Sequence, residues 1–145
     1  MYKVIVVGTD GSDRAGIAVR QAMALAKLSG AKLHAVNVVH AALAVGFSDS
    51  RTGQDQVNTM REGAEAIRSK LLSDAEAEGV SLEVHNPGGD AAKAILDTAE
   101  KLSADLVVVG NRGMTGAKRF VAGSVPNTIA HNCHCDILIV DTDTA

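Results

Sequence analysis

Short apolar runs alternate along this chain with longer segments whose apolar residues recur every three or four positions. YKVIVVG, residues 2–8, reads as a first strand. Behind it, Ala15, Val19, Ala22, Met23 and Ala26 keep helical spacing to about Leu28, with Ser12 suited to the N-cap and Gly30 to the stop. KLHAVNVV, residues 32–39, predicts a second strand, and AALAVGFSDSRTGQ, residues 41–54, a mobile connection. Val57, Met60, Ala64, Ile67 and Leu71 predict a second helix from about Asp55 to Glu78, closed by Gly79. SLEVH, residues 81–85, alternates as an edge strand does. Asp90 then caps a third helix from Ala91 to Leu102. DLVVVG, residues 105–110, is apolar without alternation, the pattern of a strand covered on both faces. A helix from about Val125 to Asn132 and a last strand, DILIVD, residues 136–141, complete the series.

Strands alternating with helices call for right-handed crossovers and a parallel sheet with helices on both faces. The expectation is an α/β, Rossmann-like single domain over residues 1–145, an open five-stranded sheet in the order 3-2-1-4-5. In such a sheet ligands bind beyond the carboxyl ends of the strands, where successive connections leave toward opposite faces. Here that point lies between the first and fourth strands. Both of them end in glycine-rich sequence, GTDGS at residues 8–12 and GNRGMTGAKRFVAGS at residues 110–124.

Composition narrows the function classes. Tyr2, Phe47 and Phe120 are the only aromatic residues, and the formal net charge is −3. Neither suits nucleic acid, which asks for stacking platforms and a basic surface. The first apolar run is too short for a signal-peptide core, and VNVVHAALAVGF, residues 36–47, is too short and too interrupted for a membrane span. Cys133 and Cys135 sit too close together to build a disulfide framework. A cytoplasmic protein without membrane insertion is expected.

The glycine segment suits polyphosphate. A phosphate oxygen needs several backbone N–H groups converging on it, and a Cβ blocks that approach. Gly113 and Gly123 give access, the helix starting near Val125 adds free N–H groups and its positive dipole end, and Ser124 adds a hydroxyl. Arg112, Lys118 or Arg119 can supply countercharge. The same residues also fit a plain turn, with Ser124 as helix cap. The spacing is neither that of a P-loop nor that of the dinucleotide fingerprint.

GNRGMTGAKRFVAGS resembles the ATP-binding signature of the universal stress protein family: Gly, two residues, Gly, nine residues, Gly, then Ser or Thr. Gly110, Gly113, Gly123 and Ser124 fill those positions. VIVVGTDGS resembles the family's opening strand and LHAVNVV its second, so the likeness runs nearly the whole length. It implies an adenine nucleotide alpha hydrolase-like fold that binds ATP, with Mg²⁺ accompanying the phosphates. It further implies Asp10 at the ribose or metal, backbone of Val38 at the adenine, Gly110, Arg112, Gly113, Gly123, Ser124 and Val125 around the phosphates, and Thr9 among the nucleotide-binding residues. Ala122, Ala117 and Asp136 depart from the family's usual residues, Leu, a larger apolar residue and Pro. A homodimer through the last strand is also implied, and an apolar edge strand is a hazard that pairing would cover.

Within that resemblance three other readings stay open. One is a cyclic AMP-binding member. Another is a slow ATPase or self-phosphorylating protein with Ser124 or Thr115 as acceptor, and the third a dimeric interaction protein with a vestigial pocket. No general base for fast hydrolysis stands out. HNCHCD, residues 131–136, lacks the spacing of a zinc site, and His34, His40 and His85 read as scattered packing or surface residues. No metal site made by the protein alone is expected, and protein partners beyond a second copy are not specified.

Overall fold

A computed structural model describes residues 1–38, 51–111 and 125–143, side chains at 51–53 and 56 excepted. Its strands are β1 (Val4–Thr9), β2 (Lys32–Asn37), β3 (Leu82–His85), β4 (Leu106–Gly110) and β5 (Asp136–Val140). Its helices are α1 (Asp13–Ser29), α2 (Arg51–Glu78), α3 (Ala91–Lys101) and α4 (Val125–Asn132). The sheet runs β3-β2-β1-β4-β5 and every pairing is parallel, as the alternation predicts.

Strand alternation divides the core in two. Ile5, Val7, Leu33, Ala35 and Val108 pack under α1 and α2, while Val6, Val36, Val107 and Val109 pack under α3 and α4. The first two crossovers therefore cover one face and the last two cover the other. Chain direction across the sheet reverses at β1, whose neighbours are β2 and β4. Gly8 keeps this junction tight. A Cβ there would lie 2.5 Å from Ile95 Cδ1, so the missing side chain is what lets α3 approach β1.

The caps act as read. Ser12 Oγ accepts from the Ala15 N–H at 3.1 Å, Asp90 Oδ2 accepts from the Lys93 N–H at 2.9 Å, and Gly30 turns left-handed at φ 71°. Two boundaries differ. Helix α2 starts at Arg51 rather than Asp55, because its first turn carries no apolar period for a sequence reading to detect. Strand β2 ends at Asn37 rather than Val39, because its partner β1 runs out opposite, at Thr9. Most of the expected connection over 41–54 lies outside the described residues.

At the amino end of the sheet, Asp105 Oδ2 accepts from the N–H groups of Lys3 and Val4, each at 2.8 Å, which pins the start of β1 to that of β4. Those two backbone hydrogen bonds hold its carboxyl below the usual 3.8. Asp136, where the resemblance leads to an expectation of Pro, opens β5 and accepts from the Tyr2 hydroxyl at 2.9 Å. Its own N–H donates to the Asp105 carbonyl at 3.3 Å, a bond proline could not make.

Candidate nucleotide site at the strand switch point

Thr9 closes β1, and the turn after it is held by its own polar groups. Thr9 Oγ1 accepts from the Gly11 N–H at 3.1 Å and Asp10 Oδ1 from the Ser12 N–H at 2.9 Å. Gly11 takes φ 82°, a conformation that favours glycine, and a Cβ on it would run into Ile67 of α2. These bonds hold the Asp10 backbone in one place while its side chain stays exposed at the mouth of the crevice. A carboxylate so placed suits hydroxyl donors or a hard cation.

Beside β1, Asn37 is buried and donates from Nδ2 to Asn86 Oδ1 at 3.3 Å, tying the end of β2 to the loop after β3. Val38 follows, half-buried against the core beneath α3 and α4. On the other side, Gly110 ends β4 opposite Val140. Because Val7 pairs with Val108, Thr9 and Gly110 lie two residues further along at matching height. Helix α4 carries Val125 in its first turn, half-buried, and hangs from the core by Ile129, which is fully buried. A crossover helix runs back against its strands, so its amino end lies at their carboxyl end.

Thr9, Asp10, Val38, Gly110 and Val125 therefore gather at one end of the sheet, as the sequence reading requires. Arg112, Gly113, Gly123 and Ser124 lie outside the described residues, as do Thr115, Lys118 and Arg119.

The structure adds an anchor that the sequence did not announce. Asn111, the residue after Gly110, accepts at Oδ1 from the N–H and the hydroxyl of Thr142, at 3.1 and 3.0 Å. Its Nδ2 donates to Asp141 Oδ1 at 3.3 Å, and its backbone N–H donates to the Val140 carbonyl at 2.9 Å. Thr142 is buried, and Arg14 of α1 pairs with Asp143 at 3.1 Å. The chain leaving β5 is thus folded onto the root of the glycine segment and the start of α1. An Asn directly after a strand-ending glycine was the one available signal.

Away from the crevice, the sulfurs of Cys133 and Cys135 lie 3.4 Å apart. Burial and the bond to Cys133 push the Cys135 thiol up to about 12, so it carries little thiolate at neutral pH. The histidines are less scattered than expected. His34 Nδ1 and His85 Nε2 lie 3.0 Å apart, with the Glu83 carboxylate beside them. Among the described residues this is the one group of His, Cys, Asp or Glu that brings three ligand atoms together, and HNCHCD contributes nothing to it. No helix among the described residues is long and apolar enough to cross a membrane.

With this geometry in hand, comparisons with known proteins agree with one another. The family model for universal stress proteins matches residues 1–141. A universal stress protein of Methanocaldococcus jannaschii is 34% identical over 140 residues, spanning 97% of this chain and 82% of that protein. Among solved structures, a universal stress protein in complex with cAMP is 31% identical, with a TM-score of 0.75 and 98% of each chain covered. The universal stress protein of Archaeoglobus fulgidus in complex with dAMP, at 22% identity and a TM-score of 0.68 over 95% of this chain and 97% of that one, speaks for the fold alone.

Proposed function

The chain belongs to the universal stress protein family, and from that premise we propose that it is a regulatory module that binds an adenine nucleotide, ATP with its Mg²⁺. The observation that carries this reading is the meeting of two exits at one end of the sheet. One presents Asp10, and the other, at Gly110, starts the fifteen-residue signature. A cAMP complex of a relative at 31% identity supports an adenine ligand and keeps the cyclic nucleotide as the second reading.

In the proposed site each residue acts by its own chemistry. Asp10 receives ribose hydroxyls or faces the Mg²⁺ that screens the phosphates. Backbone groups at Val38 read the adenine edge. Gly113 and Gly123 open the backbone to phosphate, Arg112 adds countercharge, Ser124 donates its hydroxyl, and Thr9 and Gly110 fix the two rims. The first turn of α4, from Val125, offers unpaired N–H groups and the positive end of the helix dipole. Binding and release, rather than fast turnover, is the output we assign, in the cytoplasm and toward protein partners.

Loss of one charge-assisted contact costs roughly 1.5–3 kcal/mol. Asp10→Ala should therefore weaken Mg·ATP binding by about tenfold or more in a nucleotide-displacement titration. An affinity equal to the parent protein's would remove Asp10 from the site.

The assembly we propose is a homodimer paired along β5. That strand is a sheet edge, and its Ile139 remains 45% exposed. Sedimentation should give a dimer for the parent chain and a monomer for Ile139→Lys, whose charge would be buried in the pairing. A monomeric parent chain at high concentration would contradict it.

A further inference from the structure

Strands β2 and β3 place three metal-ligating side chains on one face of the sheet. Their register sets His34 opposite Glu83, and His85, two residues on, returns to the same face. That face is the one under α3, since Val36, two residues beyond His34, packs there. The donor atoms are close. His34 Nδ1 lies 3.0 Å from His85 Nε2 and 3.8 Å from Glu83 Oε2, and His85 Nε2 lies 3.9 Å from Glu83 Oε1. Ligands about 2.0–2.1 Å from a tetrahedral zinc ion stand about 3.3 Å from one another. The imidazole nitrogens stand closer than that, and the carboxylate turns a different oxygen toward each histidine, each about half an ångström further off.

From this juxtaposition we propose that His34, Glu83 and His85 hold a divalent transition metal, zinc by preference, at the β2–β3 edge. Two imidazoles and one carboxylate make a three-ligand set with a fourth position left for water. His34 is 4% exposed on an inner strand, so one ligand is fixed by the core, while the other two sit on the edge strand where an ion can enter. The site is separate from the nucleotide crevice: His34 precedes Val38 by four residues, about 13 Å along the strand. Lys32 opposes the metal, since its Nζ lies 3.3 Å from Glu83 Oε2 and competes for that oxygen.

The test uses the full chain, stripped with a chelator and titrated with Co²⁺, then with Zn²⁺ in competition. One ion per chain is expected, with the visible absorption of tetrahedral cobalt, no thiolate charge-transfer band, and displacement by zinc. His85→Ala and Glu83→Gln, both at partly exposed positions, should each lower the affinity at least about a hundredfold, at or beyond the upper end of what loss of a supporting ligand contact costs. Both should keep the parent circular dichroism. Lys32→Gln should raise the affinity several-fold, a gain that a merely hydrogen-bonded histidine pair gives no reason to expect. The double variant Cys133→Ser, Cys135→Ser should bind as the parent does. Absence of bound ion, binding left within about twofold by His85→Ala, or a cobalt spectrum that vanishes with the cysteines would each overturn the proposal.

Discussion

Ile129→Ala should lower the melting temperature by roughly 10 °C and weaken nucleotide binding in the same variant. The side chain is completely buried in the cluster formed by Ile95, Val107, Val109 and their neighbours. Emptying such a position removes the transfer free energy of three carbons and leaves a cavity, at a cost of about 3–4 kcal/mol. For a chain of this size each kcal/mol moves the midpoint by a few degrees. The functional part follows from the length of α4, which has eight residues and could not persist without tertiary support. Ile129 is the buried residue that fixes this helix, and the first turn of the helix is the proposed phosphate seat. Saturating nucleotide should then recover part of the lost stability, because a ligand that binds only the folded state shifts the equilibrium toward it. A melting temperature within a degree or two of the parent would mean that the helix is held by other contacts.

Gly11→Val should be nearly as costly, and for two independent reasons. The backbone at Gly11 has φ 82°, where a side chain costs about 1–2 kcal/mol and a branched one more. A Cβ there also collides with Ile67, which would have to leave its place between α2 and the turn. Overpacking of that kind adds about 1–3 kcal/mol. A combined loss of about 2–5 kcal/mol in denaturant unfolding is the expected result. Relief by movement of the turn would displace Asp10, so nucleotide affinity should fall further than the stability loss alone explains. The paired variant Ile67→Ala, Gly11→Val separates the two causes. It should recover the steric part, offset by the contacts Ile67 gives up, and retain the backbone part. No loss of stability in Gly11→Val would show that the turn relaxes freely.

The fold was legible because its signals are local and consistent. Each helix has an apolar stripe, and Ser12, Gly30, Gly79 and Asp90 mark ends whose chemistry depends only on neighbours in sequence. The contrast between alternating SLEVH and continuous DLVVVG identified an edge strand and an inner strand before any pairing was known. The switch point between β1 and β4 was legible for a related reason: the ends of both strands follow from local pattern, and topology alone brings them together. The histidine pair was not. His34 and His85 are 51 residues apart, and their meeting depends on a register between β2 and β3 that no local pattern specifies. The Asn111–Thr142 clamp was hidden in the same way, by a fold-back across 31 residues.

Asn111 also ties the proposed crevice to the rest of the chain. It is the first residue past β4, and its side chain is committed to Thr142 and Asp141, while Asp143 reaches Arg14 on α1. The root of the signature, the chain beyond β5 and the start of α1 therefore share one hydrogen-bonded cluster. That cluster adjoins the edge strand through which we propose a second copy pairs.

The proposed function rests on this crevice holding an adenine nucleotide. Calorimetric titration of nucleotide-stripped protein with ATP and Mg²⁺, with cAMP run in parallel, tests it most directly. Saturable binding of one nucleotide per chain is expected, abolished by Gly123→Val, which would put a branched side chain into the proposed phosphate approach. Heat of dilution alone for both nucleotides, from protein whose folding is verified in the same sample, would contradict it.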